Sequence, residues 1–571
     1  MVTSSDDLRR QEQPVLTSRD LAILRRFGAV RPTERGDVLF EVGDADFALV
    51  VVLSGRTEIV DRSEGGERSV ATSGPGQFEG ELGLLTGQTM FAACVVREAG
   101  EVLMVPREAV RDIIATVPPL GDVLVTAMAA RRQLLMRTAA ATLTLIGPKD
   151  SHGLERLETF AARNRIPYRC LVPEDPAVAE LVAGLGVIAG GEVLAIVRGQ
   201  RVLRDPSTLD LAKALGLDLA FRQDAPADLV VVGAGPAGLS AAVYGASEGL
   251  STVVVDELGI GGQAGMSSRI ENYLGFPTGI SGGDLAFRAE VQALKFGARV
   301  TMPRRATSLA PAAGLVAVGL DDGTVLVARG VVLATGARYR DLGLPDQATF
   351  AGVGVYYAAT ELEARLCRGG DVVIVGAGNA AGQAAMFLSE TAHAVHLVCR
   401  GPDLGRSMSR YLASRLEHAP NVRIRTGSVV TALQGEERLR SVTISNAQGG
   451  TEQLPVCALF AMIGADPRTG WLRGAVDLDE KGFVLTGSDV MRDGTPAIVS
   501  PFQTSQPGVF AVGDVRSGSV KRVASAVGEG AVVVQAVHRH LAAARGGAAS
   551  DVASGHRNEV LATGDTSIPT R

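Results

Sequence analysis

Cysteine, aromatic residues and long apolar runs are all scarce in this chain. Its 571 residues hold five cysteines, Cys94, Cys170, Cys367, Cys399 and Cys457, and no two of them are separated by two residues. A disulfide framework or a zinc site needs paired spacings. The scattered, odd set argues against both and suits a reducing cytoplasm. Trp471 is the one tryptophan, and aromatics make up 4% of the chain. Nothing approaches the roughly 18 consecutive apolar residues that mark a membrane span. The segment from Met1 to Pro14 is polar and charged, without the apolar centre of a secretory signal. Basic charge is not in excess either. The net charge is −6, which leaves no electrostatic footprint for nucleic acid.

Glycine, by contrast, is abundant and placed in two telling turns. One reads Gly233-Ala234-Gly235-Pro236-Ala237-Gly238 and the other Gly376-Ala377-Gly378-Asn379-Ala380-Ala381. Each follows a strand-like apolar run, Leu229 to Val232 or Val372 to Val375, and opens an alanine-rich helical stretch. In that setting the first two glycines let the backbone bend and approach a pyrophosphate. The third small residue lets helix and strand pack closely, and the helix N-terminus faces the anion. Two such turns predict two dinucleotides, one flavin and one nicotinamide. A further strand, Thr252 to Val255, ends in Asp256, about 20 residues past the glycines, where an acid hydrogen-bonds a ribose.

The chain divides into blocks. Residues 1–15 are expected to be disordered. Residues 16–138 hold closely spaced short strands, which predict a small β-barrel. Residues 139–222 alternate strand and helix in the size and order of a thioredoxin-type domain. Both glycine turns fall in residues 223–544, and 545–571, rich in Gly, Ala, Ser and Thr, read as a disordered tail.

Several segments then align with a known family. Gly261-Gly262-Gln263, Glu271-Asn272-Tyr273, Ala334-Thr335-Gly336-Ala337 and Pro507-Gly508-Val509-Phe510-Ala511-Val512-Gly513-Asp514 resemble, in order, the motifs of the low-molecular-weight thioredoxin reductases. The resemblance implies a three-layer ββα, Rossmann-like flavoprotein. Its FAD-binding domain would be split between 223–341 and 466–544, around an NAD(P)H-binding domain at 342–465. It implies FAD and NADPH as cofactors, with NADH left open, and a homodimer. FAD would be held by the first glycine turn and Asp256, with Gln263 and Asn272 near the isoalloxazine. Gly262, Thr335, Gly336 and Gly513 would also line its site, and Asp514 would bind the ribityl chain. Lys521-Arg522 replaces the family's Arg-Gln pair at the flavin edge, and Val523 would also line the site. The nicotinamide cofactor would sit on Gly376, Gly378, Asn379, Ala380 and Ala381, with Arg400 and Arg406 toward a 2′-phosphate.

One feature departs from the family. Its redox CxxC pair would fall at Ala358 and Glu361, and the thioredoxin-like block has Gly147-Pro148-Lys149-Asp150 after its first strand. Disulfide exchange requires a thiolate, so dithiol reduction through these positions is excluded. Ser151 reads as a helix cap, and Cys367 as an inert buried thiol. The N-terminal block is similar to a cyclic nucleotide-binding domain. Gly80-Glu81-Leu82-Gly83-Leu84-Leu85 resembles its phosphate cassette, and Glu81 would hold a ribose. Phe91 stands where the cassette's arginine belongs, so a different small effector or a docking role is expected. The reading is an FAD-dependent NAD(P)H oxidoreductase with an unidentified electron acceptor. The alternative is a redox sensor that signals through the N-terminal domains. No catalytic side chain and no metal ligand is assigned.

Overall fold

The structure, a computed structural model, describes residues 11–560 apart from 45, 63–66, 81, 87, 91, 139–142, 149–150, 165, 167, 186–191, 200, 216, 218–224, 268–269, 271, 348, 352, 358, 360, 405–407, 437, 493–494 and 497–499. Apolar residues crowd the stretch from Phe47 to Leu53, and this run opens the long strand Leu49–Asp61. It pairs antiparallel with the equally long Ala93–Val105, Val50 facing Met104 and Val60 facing Ala93. Four shorter strands complete the sheet. Because side chains alternate along a strand, Leu49, Phe78 and Leu103 fill one interior, which the helices Arg107–Thr116 and Pro118–Thr138 close. The N-terminal stretch is anchored sooner than its composition suggested. Arg131 donates to the Glu12 carbonyl at 2.8 Å, and Leu16 is buried.

In the second unit, Leu143–Ile146 lies parallel to Tyr168–Leu171 and antiparallel to Leu194–Val197, with Arg201–Arg204 at the edge. Strand, helix, strand, helix, two strands and a helix follow one another, which is the thioredoxin-type order. Ser151 caps the helix His152–Arg163 by accepting from the Leu154 amide at 3.4 Å.

The third unit is built on parallel strands. Thr252–Val255 and Val325–Leu333 flank Ala227–Val232, so that Val231 faces both Val254 and Val332. Strands buried on both faces read as continuous apolar runs, as these do. Arg299–Thr301 extends one edge. Val509–Ala511 joins Val325–Leu333 from a distant part of the chain, and antiparallel strands Leu315–Leu320 and Ala306–Ala312 form the other edge. The fourth unit repeats the plan with five parallel strands, in the order Val355–Tyr356, Ala458–Ala461, Asp371–Val375, Ala394–Val398, Val422–Arg425. A two-stranded ribbon, Ala337–Tyr339 with Ala465–Pro467, is where the chain crosses between these units in both directions. The last helix, Val523–Val560, runs well past residue 545, where no regular structure was expected. Alanine is the strongest helix former and no proline interrupts this stretch.

Candidate functional site

Both glycine turns sit at the C-terminal ends of their parallel sheets, where α/β folds bind ligands. Gly233 adopts φ +109°, and a Cβ on it would lie 2.3 Å from the Ala334 carbonyl oxygen. Glycine is required there on both counts. Gly238 packs the helix against the turn, since a Cβ would meet the Gly233 oxygen. Gly235 and Gly378 head the helices Pro236–Ser247 and Asn379–Ser389 with no side chain capping either N-terminus. Their free amides are therefore available to an anion.

In front of the first turn lies a cavity of about 950 Å³, lined among others by Gly233, Gly235, Pro236, Ala237, Asp256, Gly262, Gln263, Thr335, Gly336, Asp514, Lys521, Arg522 and Val523. Gly262 approaches Gly235 so closely that a Cβ would come within 2.9 Å of its Cα. The Thr335 hydroxyl is buried without a partner among the described residues. The volume, the glycine cradle and this orphaned hydroxyl fit a large anionic dinucleotide such as FAD. Asp256 organises the wall. One carboxylate oxygen accepts from the Ala234 amide at 2.7 Å, the other from the amides of Leu258 and Gly259, both at 2.9 Å. Burial pushes the Asp514 carboxyl up, against the pull of Lys521. Glu529 holds the turn before it, accepting from the Gly513 amide at 2.6 Å. Asn272 is exposed and does not line the cavity.

The second cavity, about 2190 Å³, is lined by Gly376, Gly378, Asn379, Ala380 and Arg400, with Ala381 buried behind them. Asn379 accepts from the Ser409 amide at 2.8 Å, ordering the rim. Arg406 and Ala358 lie outside the described residues. Glu361 begins the helix Glu361–Leu366, and Ala359 lines the second cavity. Arg338, Tyr339, Asp466, Lys521 and Arg522 line both cavities, so the two clefts meet. At that junction Tyr339 stacks on Tyr357, with centroids 5.0 Å apart and planes 17° from parallel. Burial, and then the charge of Asp514, push the Tyr339 hydroxyl up to about 12.

Sequence reasoning missed Tyr339, Arg338 and Glu529, and above all Arg163. This arginine ends the helix His152–Arg163 of the second unit and lines the first cavity. Burial works against its charge while Asp256 favours it, and its Nε is buried without a partner among the described residues. Next to it, Asn164 donates to the Leu258 carbonyl at 2.7 Å. Nothing local in the sequence marks these residues, because the contact depends on how two units dock.

In the N-terminal barrel, Glu81 and Phe91 lie outside the described residues. The interior cavity there, lined by Phe40, Ile59, Glu79, Met90 and Arg131 among others, measures about 50 Å³, far below the ~300–1,000 Å³ of a ligand pocket. No helix among the described residues is long and apolar enough to cross a membrane, and no cluster of three metal-binding side chains occurs among them.

Two dinucleotide clefts meeting at a shared wall define an FAD-dependent NAD(P)H oxidoreductase. Residues 227–530 match the model of the pyridine nucleotide-disulphide oxidoreductase family, and the chain belongs to that family. Residues 30–117 match the cyclic nucleotide-binding domain. The chain is 33% identical over 315 residues to thioredoxin reductase of Treponema pallidum, which spans 55% of this chain and 97% of that one. It is likewise 33% identical over 318 residues to thioredoxin reductase of Streptomyces clavuligerus, covering 55% and 94%. The crystal structure of thioredoxin reductase from Streptococcus pyogenes superposes with a TM-score of 0.51 at 30% identity, over 56% of this chain and all of that one.

Proposed function

We propose that this enzyme takes hydride from NADPH onto FAD and delivers the electrons to an external acceptor, without the CxxC dithiol of the reductases it resembles. The observation that carries the reading is the junction of the two cavities through Arg338, Tyr339, Asp466, Lys521 and Arg522. FAD supplies the hydride-accepting chemistry when bound, and the chain's part is to hold, orient and shield.

In this reading the turn Gly233–Gly238 and the helix N-terminus behind it bind the pyrophosphate, and Asp256 faces the adenosine ribose. Asp514, which lines the first cavity, would hold the ribityl chain. Lys521 and Arg522 place positive charge where reduction adds negative charge. Tyr339, stacked on Tyr357, would form part of the wall between the two cofactors. Gly376, Gly378 and Asn379 carry the nicotinamide cofactor's pyrophosphate. Arg400, exposed at the rim, would pair with a 2′-phosphate, whose geometry a guanidinium matches. Electron exit follows from chemistry alone. The chain has no CxxC, so the acceptor must come to the flavin itself.

Anaerobic titration of the purified flavoprotein tests this. NADPH should bleach the flavin with one equivalent per FAD and at lower concentration than NADH. Failure to bleach overturns the oxidoreductase reading. With all five thiols free at the start, uptake of a second equivalent overturns the reading of FAD as the sole electron store. A second reading, redox sensing, is favoured by the reach of Arg163 from the thioredoxin-like unit into the first cavity. Slow turnover with every acceptor tried, together with NADPH-dependent binding of a protein partner, would select it.

A further inference from the structure

Cys367 and Cys457 stand 90 residues apart in sequence and meet in the fourth unit. Cys367 follows the helix Glu361–Leu366, and Cys457 immediately precedes the interior strand Ala458–Ala461. The Cys457 amide donates to the Asp371 carbonyl at 3.0 Å, which fixes its backbone. Its sulfur lies 3.2 Å from that same oxygen and 3.8 Å from the Cys367 carbonyl oxygen. The Cys457 sulfur therefore faces the backbone of Cys367.

Neighbouring backbone makes room for this contact. A Cβ on Gly370 would lie 2.8 Å from the Cys457 sulfur and 3.6 Å from the Cys367 oxygen, so any side chain there would push the sulfur away. The two thiols also differ in access: Cys367 is buried, while Cys457 is partly open to solvent.

Access makes Cys457 the thiol that meets a reagent first, and its surroundings act in the same direction. The Cys367 thiol donates toward Cys457 and so holds it below the ordinary thiol range. Arg438 adds to this effect, against burial and the Asp371 charge. Cys367 is pushed up by the same donation and by burial. Cys94, Cys170 and Cys399 are all pushed up by burial. Thiolate character and exposure decide which cysteine reacts with peroxide.

We propose that Cys457 and Cys367 form a reversible disulfide site oxidised by hydroperoxides, with Cys457 attacking and Cys367 resolving. The Cys457 thiolate attacks one peroxide oxygen and the O–O bond breaks. The second oxygen leaves with a proton, as water from hydrogen peroxide or as an alcohol from an alkyl hydroperoxide. Cys457 is left as a sulfenic acid. The Cys367 sulfur then attacks the Cys457 sulfur, the S–S bond forms, and the hydroxyl leaves with the Cys367 proton as water. Two thiols lose two electrons and two protons, and the peroxide gains them. The site is distinct from the lost CxxC positions at Ala358 and Glu361, and it does not depend on the flavin reading. The bond would tie the helix Glu361–Leu366 to the strand that leads into Met462 and Ile463 of the second cavity.

The experiment treats the reduced full-length flavoprotein with hydrogen peroxide, alkylates it, and maps its peptides without reduction. The expected result is a Cys367–Cys457 linked peptide, with the loss of two of the five thiols and their return on adding dithiothreitol. In Cys367→Ser, dimedone should label Cys457. In Cys457→Ser, Cys367 should remain alkylatable. The proposal is overturned if Cys457 survives doses that consume Cys170. It is equally overturned if Cys457 links to another thiol or a second chain, or is oxidised in the wild type with Cys367 still free.

Discussion

Arg163 ends a helix in the thioredoxin-like unit yet lines the cavity of the third unit, facing Asp256. A guanidinium with a buried, unpartnered Nε is an incomplete site that a ligand's oxygen or ring nitrogen would satisfy. Arg163→Ala should therefore weaken FAD binding by about tenfold, about 1.4 kcal/mol, read by fluorescence titration of the apoprotein. An unchanged affinity would make Arg163 a docking residue only. Glu79 poses a different residue-scale problem. It is 2% exposed inside the barrel, beside Thr57 and Ser73, and burial pushes its carboxyl up against the pull of Arg131. A carboxyl raised in the folded state favours folding below its unfolded pKa, and that contribution is lost as the pH rises through the folded value. Glu79→Gln mimics the protonated form. Its thermal midpoint should match the wild type in acid and exceed it by a growing margin as the pH climbs above the usual carboxylate range. A margin that does not change with pH would show that Glu79 is not ionising.

At the scale of elements, the loop Asp256–Gly259 receives the end of the helix His152–Arg163. A Cβ on Gly259 would stand 2.8 Å from Asn164 Nδ2 and 3.0 Å from Arg163 Cβ, and its φ of +149° also disfavours a side chain. Gly259→Val should displace that helix end at a cost of about 1–3 kcal/mol. Hydrogen exchange should then rise across residues 152–164 while the barrel strands stay protected. If protection is unchanged, the docking is not held at this point. The same junction explains what the sequence could and could not disclose. The strands Ala227–Val232 and Asp371–Val375 and their glycine turns were legible because apolar runs and tight turns are local signals. Asp256 was legible because its distance from the glycines is set by one helix and one strand. Arg163 and the Cys367–Cys457 contact were not, since each joins segments distant in sequence through tertiary packing. The final helix was missed because Gly, Ala and Ser suggest disorder in bulk, while an alanine-rich stretch without proline still propagates a helix.

For the whole molecule, the question is whether the two nucleotide-binding units must move to react. A dithiol enzyme has reason to alternate, presenting its cysteines and its nicotinamide to the flavin in turn. With no CxxC in the chain, that alternation has no purpose. The cavities already meet at Tyr339 and Lys521, and the Tyr339–Tyr357 stack ties the third unit to the fourth at their junction. The other units brace this arrangement from outside. Phe287 and Leu294 of the third unit are buried in the same core as Leu120 and Leu124 of the barrel unit, and Lys295 pairs with Asp122 at 2.5 Å. Domain rotations run on μs–ms timescales and limit many enzymes, so a required rotation would leave a kinetic trace. Anaerobic stopped-flow mixing with NADPH should therefore show flavin reduction in a single phase whose rate follows the nicotinamide–flavin step. Deuteration of the transferred hydrogen should slow that phase several-fold. A slow phase that ignores both NADPH concentration and deuteration would mean that the clefts must first be brought together, and that this enzyme kept the motion after losing the cysteines it served.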